Sequence, residues 1–166
     1  MSKFITFKPI GEILQEAALI THPQLEVALR DQTYYEDMRL GEILALRGWI
    51  EQDTADFFAQ DWFKLINRRI DRPIGFYLNK AGLISESDIE TILREQHVNS
   101  LRFGDTAIKK GLVKPNTVNF FLENLFPSQL QNELVNNSRK EKNKNRITSD
   151  DITYWATMSS AKITRS

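Results

Sequence analysis

Apolar residues recur at helical spacing through the first three-quarters of the chain, in four blocks that share one glycine register. The blocks read "PIGEILQEAALITHPQLEVAL", "RLGEILALRGWIEQDTADFFA", "PIGFYLNKAGLISESDIETIL" and "RFGDTAIKKGLVKPNTVNFFL". Their anchors, Gly11, Gly41, Gly75 and Gly104, stand 30, 34 and 29 residues apart. That period belongs to helical arrays, in which one unit alone cannot bury its apolar face. An apolar residue precedes each anchor (Ile10, Leu40, Ile74, Phe103) and another follows three residues after it (Leu14, Leu44, Leu78, Ala107). This four-residue step puts both on one face of a helix.

Seven positions beyond the anchors come Ala18, Gly48, Gly82 and Gly111. Glycine ends a helix there because the left-handed cap has no Cβ clash. Ala18 breaks the pattern, so the first block is expected to end its helix differently or under mild strain. Two apolar residues follow each cap: Leu19-Ile20, Trp49-Ile50, Leu83-Ile84 and Leu112-Val113. A second helix then begins, with Thr21 and Ser85 as N-caps and Pro23 and Pro115 in first turns, where a missing N–H is harmless. The second helices are expected to bury Leu25/Ala28/Leu29, Ala55/Phe58/Ala59, Ile89/Ile92/Leu93 and Val118/Phe121/Leu122. No segment alternates long enough for a strand. The pattern predicts an all-α fold of tandem helical hairpins, four in two pairs, forming a compact bundle.

Smaller features group the blocks. Gln32 and Gln96 lie 21 residues after their anchors, where the even blocks carry Trp62 and Leu125. The first and third blocks share Pro-Ile-Gly; the second and fourth share Arg-apolar-Gly. The unit is therefore a pair, predicting domains at 1–67 and 68–130 whose short basic join makes them pack together. Residues 131–166 form a basic tail, where "NNSRKEKNKNR" reads as a solvated linker and "ITSDDITYWATM" as a short terminal helix or an unstructured end.

Composition excludes more than it proposes. Lys plus Arg equals Asp plus Glu at 22 each, so no net charge draws the chain to nucleic acid or membrane. The balance is uneven, since residues 138–166 hold seven Lys/Arg against three Asp/Glu. No cysteine is present, which removes disulfides and thiolate metal sites. No run approaches the roughly 20 apolar residues of a spanning helix. The expected location is cytoplasmic, without membrane insertion.

Chemistry is sparse. His22 stands beside Pro23 in a first turn, and His97 at a helix end, where a cation suits the dipole. No nucleophile–base pair, metal-spaced cluster or Walker loop is found, so no enzyme, metal or cofactor is expected. A DNA-binding reading fails on charge, because "DTADFFAQDW" and "SDIETILREQ" are acidic where a recognition helix needs Lys/Arg. Arg68, Arg69 and Arg72 read as a solvated loop cluster.

The segments "RLGEILALRGWI" and "GEILQEAALITHPQLEVALRDQ" resemble the N-terminal domain of type II secretion and type IV pilus assembly ATPases, the MshEN-like family. The resemblance covers about residues 9–125, twice over, without the ATPase. It implies an adaptor docking on a protein partner such as a pilus or secretion motor ATPase. Some family members bind cyclic di-GMP through tandem motifs that open Arg-Leu-Gly and close with Gln. Carried over, that ligand would meet Gln32, Arg39, Leu40 and Gly41, and in the second pair Arg72, Gly75, Gln96, Arg102 and Gly104. No single block keeps both ends: Pro9 and Pro73 replace Arg, while Trp62 and Leu125 replace Gln. For a protein partner, Trp62 and the tail's Trp155 are the expected aromatic anchors, whereas Trp49 shares a position with Leu19, Leu83 and Leu112 and reads as core.

Overall fold

Regular structure in the computed structural model, which describes residues 8–68 and 72–129, is entirely helical, with no strand among the described residues. The fold is all-α. The helices are α1 (Ile10–Glu16), α2 (His22–Gln32), α3 (Leu40–Leu46), α4 (Gln52–Asp56), α5 (Trp62–Asn67), α6 (Ile74–Lys80), α7 (Glu86–Asn99), α8 (Phe103–Lys109) and α9 (Pro115–Leu125). A π-helical turn, Phe57–Asp61, joins α4 to α5. The described residues up to Leu125 gather into one compact unit, and residues 126–129 fall outside it.

Local chemistry accounts for the boundaries. Each anchor glycine lies in the first turn of a short helix because a neighbour comes too close for a side chain. A methyl at Gly11 would stand 2.5 Å from Leu25, at Gly41 3.0 Å from Ala55, at Gly75 2.7 Å from Phe103 and at Gly104 2.9 Å from Val118. The residues three positions on, Leu14, Leu44, Leu78 and Ala107, are all fully buried. Gly48, Gly82 and Gly111 take φ near +70°, the left-handed cap. Ala18 takes the same conformation, φ +57°, so the first helix ends like the others and carries the Cβ strain. Thr21 and Ser85 cap α2 and α7, each accepting from the backbone N–H three residues on while Gln24 and Asp88 bond back. The reciprocal bonds satisfy donors the helix leaves open.

Burial departs from the expectation on the second helices. Leu29 and Leu93 are about half exposed, at corresponding positions of α2 and α7. Ala59 is also exposed, and Leu122 only half-buried. Leu25, Ala28, Ala55, Phe58, Ile92, Val118 and Phe121 are buried as expected, and Phe57, Trp62 and Phe120 join them in the core. The π turn is responsible for part of this. The Trp62 N–H reaches back five residues to the Phe57 carbonyl. That extra residue brings Trp62 round to the side that Phe57 and Phe58 already bury, whereas α9 runs as unbroken α-helix.

Positions 63 or 64 residues apart make the same contacts. The Thr54 hydroxyl donates to the Ala81 carbonyl at 2.8 Å, and the Thr117 hydroxyl to the Ala17 carbonyl at 2.8 Å. Phe57 meets Phe121, and Phe58 meets Phe120, each with centroids 6.3 Å apart. Asp31 pairs with Arg47 and Glu95 with Lys110. Residues 8–67 and 72–125 are thus related by an approximate internal twofold, with the Phe58–Phe121 contact (6.1 Å) at its centre.

Candidate functional site

Within each half, the closing Gln and the opening Arg-apolar-Gly, which belong to different blocks, come together. Gln32 donates its side-chain amide to the Met38 carbonyl at 3.4 Å, immediately before Arg39, Leu40 and Gly41. Gln96 does the same to the Leu101 carbonyl at 2.9 Å, immediately before Arg102, Phe103 and Gly104. Both bonds tie the end of one long helix to the N-terminus of the next short one. Along the sequence, Gln32 and Arg39 belong to separate incomplete motifs. The Gln32 bond ends on the residue immediately before Arg39.

What surrounds that bond is less suited to an anion. The Glu42 carboxylate accepts the Arg39 backbone N–H at 2.7 Å, so the start of α3 already has an acceptor and a negative charge. Asp105 stands in the corresponding first turn of α8. A phosphate approaching either end meets that charge. The surfaces of Gly41, Gly75 and Gly104 are covered by Ala55, Phe103 and Val118. The Arg72 guanidinium lies 5.5 Å from the Phe76 ring centroid, a cation–π contact.

The expected aromatic anchor is corrected. Trp62 is 3 % exposed and stacks on Phe120 with centroids 4.9 Å apart. It fills the place of a terminal Gln because the π turn directs it inward, and there it packs one half against the other. Trp49 is half-buried rather than core, with the Arg47 guanidinium 5.1 Å from its ring centroid. Trp155 lies outside the described residues.

A surface that the sequence did not single out runs over α3. An open groove of about 660 Å³ is lined by Asp37, Met38, Glu42, Ala45, Leu46, Gly48, Ile50, Glu51 and Gln52. Its lining holds three carboxylates and no Lys or Arg, and Leu46 is 68 % exposed. Tyr34 and Tyr35, on the loop after α2, are also exposed. Leu46 was readable as off-face, since it stands two residues after the buried Leu44, but only the fold shows what flanks it.

Ionisation follows local bonding. Asp31 is held below the usual carboxylate range by its hydrogen bond to Arg47, whose own affinity for its proton rises for the same reason. Asp88 is lowered by the Ser85 hydroxyl and backbone N–H. Both are structural groups. Among the described residues no group of three or more His, Cys, Asp or Glu is placed to hold a metal ion, and no helix is long and apolar enough to cross a membrane.

Among known proteins, the chain is similar to an uncharacterized protein of Picosynechococcus sp., with 44 % identity over 116 residues. The match covers 70 % of this chain and 63 % of that one, so the chain spans less than two-thirds of its relative's length. No family model matches, and no solved structure does.

Proposed function

We propose that this chain is a non-catalytic helical adaptor that binds another protein, a component of a type IV pilus or secretion ATPase system. The observation that supports it is the groove over α3, where exposed Leu46 lies among Asp37, Glu42 and Glu51. An apolar residue ringed by like charges suits a partner that is basic and amphipathic. The motor-system assignment draws on the resemblance of Arg39-Leu40-Gly41 and its surroundings to the N-terminal domains of those ATPases. On this reading the protein works in the cytoplasm and needs no cofactor. The test is affinity capture from the source cell with identification of the bound proteins. A motor ATPase retained by the native chain and lost with Leu46→Lys is the expected result. Retention that ignores Leu46 would end the reading.

A second reading, a cyclic di-GMP sensor, draws support from the bond of Gln32 to the Met38 carbonyl, next to Arg39. It ranks lower because Glu42 and Asp105 oppose phosphate at the two candidate helix starts. Titration calorimetry with cyclic di-GMP decides it: micromolar affinity lost in Arg39→Ala would put this reading first.

A further inference from the structure

The internal twofold lets the groove over α3 be compared with its own counterpart. The two regions share a frame. Asp31–Arg47 on one side corresponds to Glu95–Lys110 on the other, and Gly48 corresponds to Gly111 with the same positive φ. Their exposed chemistry has nevertheless diverged. Leu46 corresponds to Lys109 and Glu51 to Lys114, while Glu42 keeps an acidic counterpart in Asp105. Lys109 and Lys114 are exposed; Lys114 spends one donor on the Ala18 carbonyl at 3.1 Å and keeps its charge at the surface. Corresponding short helices therefore carry an acidic, apolar face in the first half and, around Lys109 and Lys114, a face richer in lysine in the second.

We infer that the acidic face of one copy, around Leu46 and Glu51, docks on the basic face of a second copy, around Lys109 and Lys114. The inference rests on the reading of the α3 groove as a protein-binding surface and adds a second copy of the chain as a competitor of that partner for it. Charge complementarity selects the second copy, since the groove lining holds no Lys or Arg and the same chain displays lysines at the matching place. The contact is heterologous, with different patches meeting, so a pair keeps one free face of each kind unless the arrangement closes. A single groove with screened charges makes a weak association that falls with salt.

Sedimentation velocity of the full chain from low to high micromolar concentration, at low and at high salt, tests it. The native chain is expected to gain mass with concentration, less so in high salt. Glu51→Lys and Lys114→Glu are each expected to weaken association about tenfold or more. Their mixture is expected to restore it, because the reversed charge at position 51 of one variant then faces the reversed charge at position 114 of the other. Both changes are at exposed sites and leave the core untouched, which circular dichroism checks. A native chain that stays monomeric throughout, or an association indifferent to both substitutions or unrescued by mixing, overturns the inference. The adaptor reading is judged separately, by whether partner capture depends on Leu46.

Discussion

Thr54 and Thr117 make the same buried hydrogen bond from opposite halves of the molecule. One hydroxyl reaches the Ala81 carbonyl and the other the Ala17 carbonyl, both at 2.8 Å. The carbonyls sit where α6 and α1 end, so each bond satisfies a helix end and joins the halves at once. Replacing Thr54 by Val keeps the shape and removes the donor. The expected loss is about 1–3 kcal/mol, with Thr117→Val costing a similar amount. Urea denaturation measures both. Thr→Ser at either site should recover most of the loss.

Ala18 gives a stabilising prediction. Its φ of +57° is the conformation that Gly48, Gly82 and Gly111 adopt at corresponding positions. Ala18→Gly should therefore raise stability by about 1 kcal/mol, the strain of one left-handed alanine. The reverse change, Gly82→Ala, should cost more than Gly48→Ala. A methyl at Gly82 would come within 3.3 Å of Asp53 and Thr54, whereas nothing lies within 4 Å at Gly48. Thermal melts order the three variants.

Trp62 separates a core role from a docking role. Truncation to Ala should destabilise the fold by about 3–5 kcal/mol, as for other large buried aromatics. Trp62→Phe should cost less and leave partner capture intact. Capture lost by a folded Trp62→Phe protein would contradict the placement of this ring against Phe120.

Acid should weaken the fold in a defined window. Asp31 and Asp88 both titrate below the ordinary aspartate value of 3.8 in the folded chain. Their contribution is complete above that value and disappears as the pH falls through the lower, folded one. Urea midpoints taken from pH 7 down to pH 3 should show the decline, and Asp88→Asn should flatten part of it.

The sequence disclosed the parts whose information is local. The helix starts at Thr21 and Ser85, the ends at Gly48, Gly82 and Gly111, and the buried row Leu14, Leu44, Leu78 and Ala107 all follow from spacing and cap chemistry within a few residues. It was silent where a side chain's fate depends on distant chain. Leu29 and Leu93 match the helical period yet face water, because α2 and α7 are covered on one side only. Trp62 looked exposed from its place in the register, and a π turn reversed that. The bond from Gln32 to the Met38 carbonyl, beside Arg39, crosses a block boundary, so comparing blocks one at a time could not reveal it. The α3 groove escaped notice for the same reason: Asp37, Leu46 and Glu51 acquire meaning only when folded beside one another.

The crossed packing of Phe57 on Phe121 and Phe58 on Phe120 has an implication for cutting the chain. A polypeptide ending at residue 67 would strand three aromatic rings in water, having lost the rings that shelter them. The surface nearest in shape to the missing one is its own. Such a fragment, if it survives, should survive as a true dimer, with a strict twofold where the intact chain has only an approximation of it.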